Sequence, residues 1–209
     1  MSLYLSVLMI ALSAGLAISG KYKKQKFIHY AFKPLTVVLI ISLAWERTLS
    51  SPSSYGYLVI SGLCLSLLGD IFLMLPKNRI RPGLVAFLAA HVLYIFALSQ
   101  GIQLRSYFVL VPLLLLGAII YAVIFKNIRR LRVPVLVYVL VLSLLAWVAI
   151  NRHLTFADQA SLLVMLGGLL FFVSDSALAV NRFRKKFWLA EILILSTYFA
   201  AQLCFALSI

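Results

Sequence analysis

The chain is poor in acid. Only five of its 209 residues are Asp or Glu, against 19 Lys and Arg, and charged residues together make up 11%. Histidine is as scarce: His29, His91 and His153 are scattered and no cysteine stands near them, so a three-histidine zinc hydrolase is not expected. The two cysteines, Cys64 and Cys204, lie inside apolar runs without the close spacing of a metal site and read as inert packing residues. No Gly-x-Ser-x-Gly elbow occurs, which removes the commonest serine-hydrolase signature. No metal and no cofactor is expected.

What the chain does have is hydrocarbon. Sixty-four per cent of it is hydrophobic and its mean hydropathy is +1.09, more apolar surface than a soluble core of this length could hide. It reads as an all-α, multi-pass membrane protein, expected in a bacterial inner membrane and surrounded by membrane lipids. The net charge of +14 invites comparison with nucleic-acid binders. The basic residues fall in short connections between apolar runs, however, where they orient helices in a bilayer, so no nucleic-acid partner is expected.

Eight apolar segments can be drawn: 3–19, 33–49, 55–75, 83–99, 106–125, 133–150, 159–180 and 187–208. No linker divides them, so residues 1–209 form one transmembrane domain of eight helices. The segment Met1–Gly20 lacks a basic n-region, and its positive cluster follows the apolar run, which suits a first helix rather than a signal peptide. Pro34, Pro82 and Pro134 are expected at or just before helix starts, where a missing N–H is harmless, and Pro112 inside the fifth segment should bend it. Sixteen of the 19 basic residues lie in the connections after segments one, three, five and seven; Arg47, Arg105 and Arg152 are the rest. That bias puts both termini outside the cytoplasm. The halves are weakly alike, since Pro34 and Pro134 each follow a basic cluster, and Gly69-Asp70 and Ser174-Asp175 each end an apolar run. Two parallel four-helix repeats would explain this; so would coincidence.

The stretch Ser66-Leu-Leu-Gly69-Asp70-Ile-Phe-Leu-Met74-Leu-Pro76 carries an aspartate inside a membrane-length apolar segment. An ionised carboxylate there costs ~2.5–3.5 kcal/mol even on lenient scales. Asp175 repeats the anomaly. Asp70 stands seven residues before Lys77 and Asp175 seven before Arg182, so both carboxyls should lie ~10 Å from the cytoplasmic boundary. Gly62, Ser66 and Gly69-Asp70 form a small, polar helix face that should point into the bundle. Gly168, Phe171 and Asp175 share a face, as do Glu191, Tyr198 and Gln202. His91 and Tyr94 lie one turn apart. Tyr138 and Tyr121 come near the level of the aspartates, where interface anchoring is the plainer reading. Lys33 is either an orienting charge or a group that snorkels to a phosphate.

Two membrane carboxyls admit several uses. Intramembrane aspartyl proteases pair two helical aspartates, but commonly with Gly two residues before the Gly-Asp, a place Leu67 takes here. A transporter would use buried Asp and His as a proton or ion relay for a small solute. A scaffold would use the aspartates to tie helices together.

Lys33-Pro34, the Ser66–Met74 block, Ala90-His91-Val-Leu-Tyr94, Pro134 with Tyr138, Phe172-Val-Ser174-Asp175-Ser176 and Tyr198-Phe-Ala-Ala-Gln202 together resemble the YhhN / lysoplasmalogenase family. The match runs from the second segment to the eighth, with the Gly-Asp and Ser-Asp-Ser blocks its specific part. The resemblance implies an eight-helix hydrolase that takes a lysophospholipid from the bilayer. It would cleave the vinyl ether bond of a lysoplasmalogen, releasing a fatty aldehyde and a glycerophospho-headgroup. It also implies that Asp70 and Asp175 are the catalytic carboxyls, one acid and one base in an order the sequence leaves open. Lys33, His91, Tyr94, Tyr138, Asn181, Tyr198 and Gln202 would line the substrate. Oligomeric state is likewise open.

Overall fold

The computed structural model describes residues 3–75, 79–103 and 106–209. Pro76, Lys77 and Arg105, which the sequence reading used for depth and orientation, lie outside the described residues, as do Met1 and Ser2. Among the described residues all regular structure is helical: α1 (Leu3–Tyr22), α2 (Lys26–Ser50), α3 (Ser54–Met74), α4 (Ile80–Leu98), α5 (Tyr107–Ile128), α6 (Arg132–Phe156), α7 (Gln159–Phe183) and α8 (Ala190–Leu207). A single 3₁₀ turn, Arg129–Leu131, joins α5 to α6. Seven continuous stretches are long and apolar enough to cross a membrane, and one of them, Tyr107–Phe156, contains both α5 and α6.

Several helix boundaries differ from expectation for physical reasons. Pro34 does not open a helix; it lies inside α2, which begins at Lys26. The two extra turns are anchored by His29, whose Nδ1 lies 3.0 Å from the Ala17 carbonyl on α1. Pro82 and Pro134 are third residues of their helices, where no intrahelical donor is lost. α6 continues past residue 150 through Asn151, Arg152 and His153, because their polar groups finish neighbouring chain ends. Asn151 Oδ1 accepts from the Ser106 N–H, and Arg152 donates to the carbonyls of Leu98 and Gln100 at the end of α4.

Helices adjacent in sequence pack as hairpins, α1 with α2, α3 with α4, α5 with α6 and α7 with α8. The hairpins are drawn together by α2 with α3, α6 with α7, α4 with α6 and α2 with α8. α3 and α4 approach most closely where side chains vanish. A Cβ on Gly69 would stand 2.6 Å from the Phe87 ring, and one on Gly62 would collide with the Tyr94 ring. Any larger residue at either place would force the helices apart and move the carboxyl beside it. The outer face of α5 is the opposite case. Phe108, Val111, Leu115 and Ile119 are each more than half exposed, a surface suited to lipid tails.

Candidate functional site

Asp70 and Asp175 line one cavity of about 580 Å³ at the charged end of the bundle. Its wall draws on α1, α2, α3, α4, α7 and α8, and its other polar residues include Lys21, Lys33, Asn181, Arg182, Lys186 and Glu191.

Asp70 is 1% exposed, so each of its oxygens needs a partner. Lys33, one residue before Pro34 on α2, brings its Nζ to 2.7 Å from Asp70 Oδ1. Tyr198 of α8 donates its hydroxyl to Oδ2 at 2.7 Å. The same ammonium lies 5.7 Å from the centre of the Tyr198 ring, within reach of a cation–π attraction. Lys33 therefore does not snorkel outward: its charge is spent on a carboxylate inside the bundle.

Asp175 is held differently. Tyr138 of α6 donates a hydrogen bond to its Oδ2. His91 of α4 places Nε2 3.7 Å from the same oxygen, beyond direct hydrogen-bond reach. His91 is completely buried between the rings of Tyr138 and Phe171, 5.4 and 5.2 Å away between centres. Neither of its nitrogens has a hydrogen-bond partner among the described residues.

The residues singled out in the sequence divide into two layers. Lys33, Asn181 and Tyr198 line the cavity with the two aspartates. Tyr138 reaches Asp175 from an adjoining cleft. His91, Tyr94 and Gln202 stand behind the wall, all at 0% exposure. Tyr94 lies 3.4 Å from the Ser66 hydroxyl and packs on Phe171 and Phe205. Gln202 has neither amide atom partnered among the described residues. Tyr121 bonds the Arg132 carbonyl, away from the site.

Sequence reasoning passed over Lys21, His29, Arg182 and Lys186 as site residues, although all line the cavity. A signal was present for Arg182: it follows Asp175 by seven residues, two helical turns, and so shares its face. Lys21 and Lys186 carry no such mark, because they reach the rim through the packing of α1 and the α7–α8 connection. No group of three or more His, Cys, Asp or Glu side chains able to hold a metal occurs among the described residues.

The fold and site define a multi-pass integral membrane protein that keeps a pair of carboxyls inside its bundle. Residues 28–209 match the YhhN family, and the chain belongs to it. It is 30% identical over 198 residues to the uncharacterized membrane protein YhhN of Escherichia coli O157:H7, an alignment covering 94% of both chains. It is 31% identical over 176 residues to the human lysoplasmalogenase TMEM86B, covering 84% of this chain and 73% of that one. With the bovine lysoplasmalogenase TMEM86A it shares 32% over 167 residues, 77% and 67% of the two. No solved structure matches the chain significantly.

Proposed function

We propose that this protein is a membrane hydrolase that cleaves the vinyl ether bond of a lysoplasmalogen or a closely related lysolipid. The observation that carries the reading is the convergence of Asp70 and Asp175, from two helices, on one polar cavity. The names of the human and bovine relatives support the same chemistry.

Vinyl ether hydrolysis begins with a proton delivered to the β-carbon, which leaves an oxocarbenium ion. Water then adds to that cation, and the hemiacetal collapses to aldehyde and alcohol. The site needs one carboxyl that holds a proton and one carboxylate that steadies the cation and takes a proton from water, as in the two-carboxyl logic of glycosidases. Asp70 suits the carboxylate, because the Lys33 ammonium is bound to it and an opposite charge favours the ionised form. Asp175 suits the acid. Tyr138 and His91 both meet its Oδ2, so Oδ1 is the oxygen left to carry the reacting proton. Lys21, Arg182 and Lys186 on the cavity wall are placed to receive a headgroup phosphate.

Eight crossings, both termini outside the cytoplasm and a four-plus-four parallel repeat belong to the same proposal. The stretch Tyr107–Phe156 has 50 residues, ~75 Å at helical rise, more than twice the hydrocarbon thickness. Two crossings joined at the Arg129–Leu131 turn accommodate it, and the charge bias then sets direction. Reporter fusions that put the Ser51–Ser53 turn in the cytoplasm would refute this topology.

The functional test is the purified protein in detergent with a lysoplasmalogen, followed by aldehyde release. A folded protein that releases no aldehyde from any vinyl ether lysolipid would overturn the hydrolase reading.

A further inference from the structure

Asp175 belongs to two hollows. Besides the polar cavity, it lines an apolar cleft of about 80 Å³ between α4, α5, α6 and α7. Phe87, Leu178 and Arg182 line both, so the two adjoin along a shared wall. Beyond the junction the cleft is walled by Leu84, Gly117, Ile120, Val139, Leu142 and Phe172. The polar residues on its wall are Tyr138, Asp175, Ser176 and Arg182. Leu142 is one turn past Tyr138, so the cleft wall continues about 6 Å further along α6 than the Tyr138 backbone.

A groove on a membrane protein would ordinarily hold whichever lipid tail drifts by. Two features single this one out. A carboxyl stands on its wall, which bulk lipid would disfavour. Its charged end also adjoins a cavity with a basic wall, so a molecule filling both must be polar at one end and hydrocarbon at the other. We infer that the cleft between α4, α5, α6 and α7 is the subsite for the single hydrocarbon chain of a lysolipid. Its headgroup lies in the polar cavity, and the first carbons of its chain pass Asp175. The inference rests on the proposed function for the identity of the bond at Asp175, not for the occupancy of the cleft.

The geometry explains why one chain is accepted. The cleft is small, about 80 Å³, and at Gly117 its α5 wall lies so close to α6 that a Cβ would stand 2.7 Å from Val139. Only the part of the chain nearest the headgroup is enclosed, and the remainder runs on into the bilayer. Ile120, which faces the cleft, therefore governs access, whereas its neighbour Ile119, 60% exposed, faces lipid.

The test uses a lysophosphoethanolamine with a saturated, non-cleavable ether chain carrying a diazirine on its first few carbons. It is photolysed with the full-length protein in phosphatidylcholine nanodiscs, and adducts are mapped by peptide mass spectrometry. Adducts on Leu84, Ile120 and Val139 are expected, competed by unlabelled alkyl lysolipid and not by added diacyl lipid. Ile120→Phe should remove those adducts and lower kcat/KM by about tenfold or more, the scale of one misfitted group in an apolar pocket. Ile119→Phe should leave both unchanged. Adducts confined to the exposed Leu115, Leu116 and Ile119, or cleft adducts that lysolipid does not compete, would overturn the subsite. Because the probe is not cleaved, competed cleft labelling without aldehyde release would uphold the subsite while removing the hydrolase reading.

Discussion

The two intramembrane carboxyls are built on one plan and finished with different chemistry. Asp70 on α3 is met by Lys33 from α2 and Tyr198 from α8. Asp175 on α7 is met by Tyr138 from α6 and His91 from α4. In a four-plus-four numbering, each aspartate on a third helix meets the second helix of its own half and the fourth of the other. The frame is thus shared and the substituents are not. One carboxyl has an ammonium at 2.7 Å; the other has a phenol and an imidazole that stands off at 3.7 Å. A pair that only tied helices together would gain nothing from this asymmetry. An acid and a base that must differ at one pH would.

The sharpest way to break the comparison is to neutralise each carboxyl in turn. Asp70→Asn and Asp175→Asn should each lower aldehyde release by about 10²–10⁴-fold, the range for losing a general acid or base. The double variant should be little worse than either single one, since members of one catalytic unit are not additive. If either well-folded variant keeps near-normal release, the aspartates are structural.

Stability separates the two sites next. Lys33 has 12% of its side chain exposed, and removing one partner of a buried pair costs about 3–5 kcal/mol through the charge left behind. Lys33→Met and Asp70→Asn should therefore each lower the melting temperature, and Lys33→Met/Asp70→Asn should recover most of it without recovering activity. Asp175→Asn strands no charge and should melt close to the native protein. The sequence alone left Lys33 as either an orienting charge or a phosphate contact; its pairing with Asp70 puts the expected effect on stability and kcat. Equal melting shifts for Asp70→Asn and Asp175→Asn would contradict the difference in charge state.

The frame was legible in the sequence and the finish was not. Apolar runs mark the helices, and the two misplaced aspartates are the carboxyls that share the cavity, because burying either a charge or a polar backbone in hydrocarbon is forbidden without cause. The small face through Gly62, Ser66 and Gly69 was expected to point into the bundle, and the helix it meets there is α4. The errors came where polar residues satisfy one another across helices. Lys26–Phe32 read as a loop because it follows the basic cluster Lys21–Lys26, yet it is helical and held to α1 by His29. Asn151–His153 read as an end because their bonds go to distant partners, Ser106, Leu98, Gln100 and Ser161. That Lys33 and Tyr198 meet at Asp70, across 165 residues of chain, leaves no local trace in any one segment.

A finer cut removes one hydroxyl from each site. Tyr198→Phe deletes a bond to the carboxylate paired with Lys33; Tyr138→Phe deletes one to the carboxyl read as the proton carrier. A hydrogen bond to a charged group contributes about 1.5–3 kcal/mol and one to a neutral group about 0.5–1.5. Tyr198→Phe should thus lower stability more than Tyr138→Phe in parallel melts at neutral pH. The reverse order would exchange the roles assigned to the two aspartates.

The smallest effect belongs to a third aspartate, which shows what a structural carboxyl looks like in this chain. Asp158 stands just before α7, exposed, and accepts the Ser161 N–H at 2.7 Å. The Ser161 hydroxyl in turn accepts from the Asp158 N–H, closing a capping box. The two hydrogen bonds from Ser161, with the nearby Arg152 charge, hold the Asp158 carboxyl below its usual range. A carboxyl lowered in the folded state gives its full stabilisation above the unfolded value, ~3.9. That contribution is lost as pH falls through the folded value, so the effect is confined to acid and is absent near neutrality. Asn caps a helix about as well as Asp. Asp158→Asn should therefore melt like the native protein at pH 7, lose the acid-side dependence, and release aldehyde at the native rate. Asp158→Ala should melt lower at both pH values with activity intact. Loss of turnover in folded Asp158→Asn would mean that a carboxyl near the far end of the bundle also serves the chemistry, and the division between capping and working aspartates would fail.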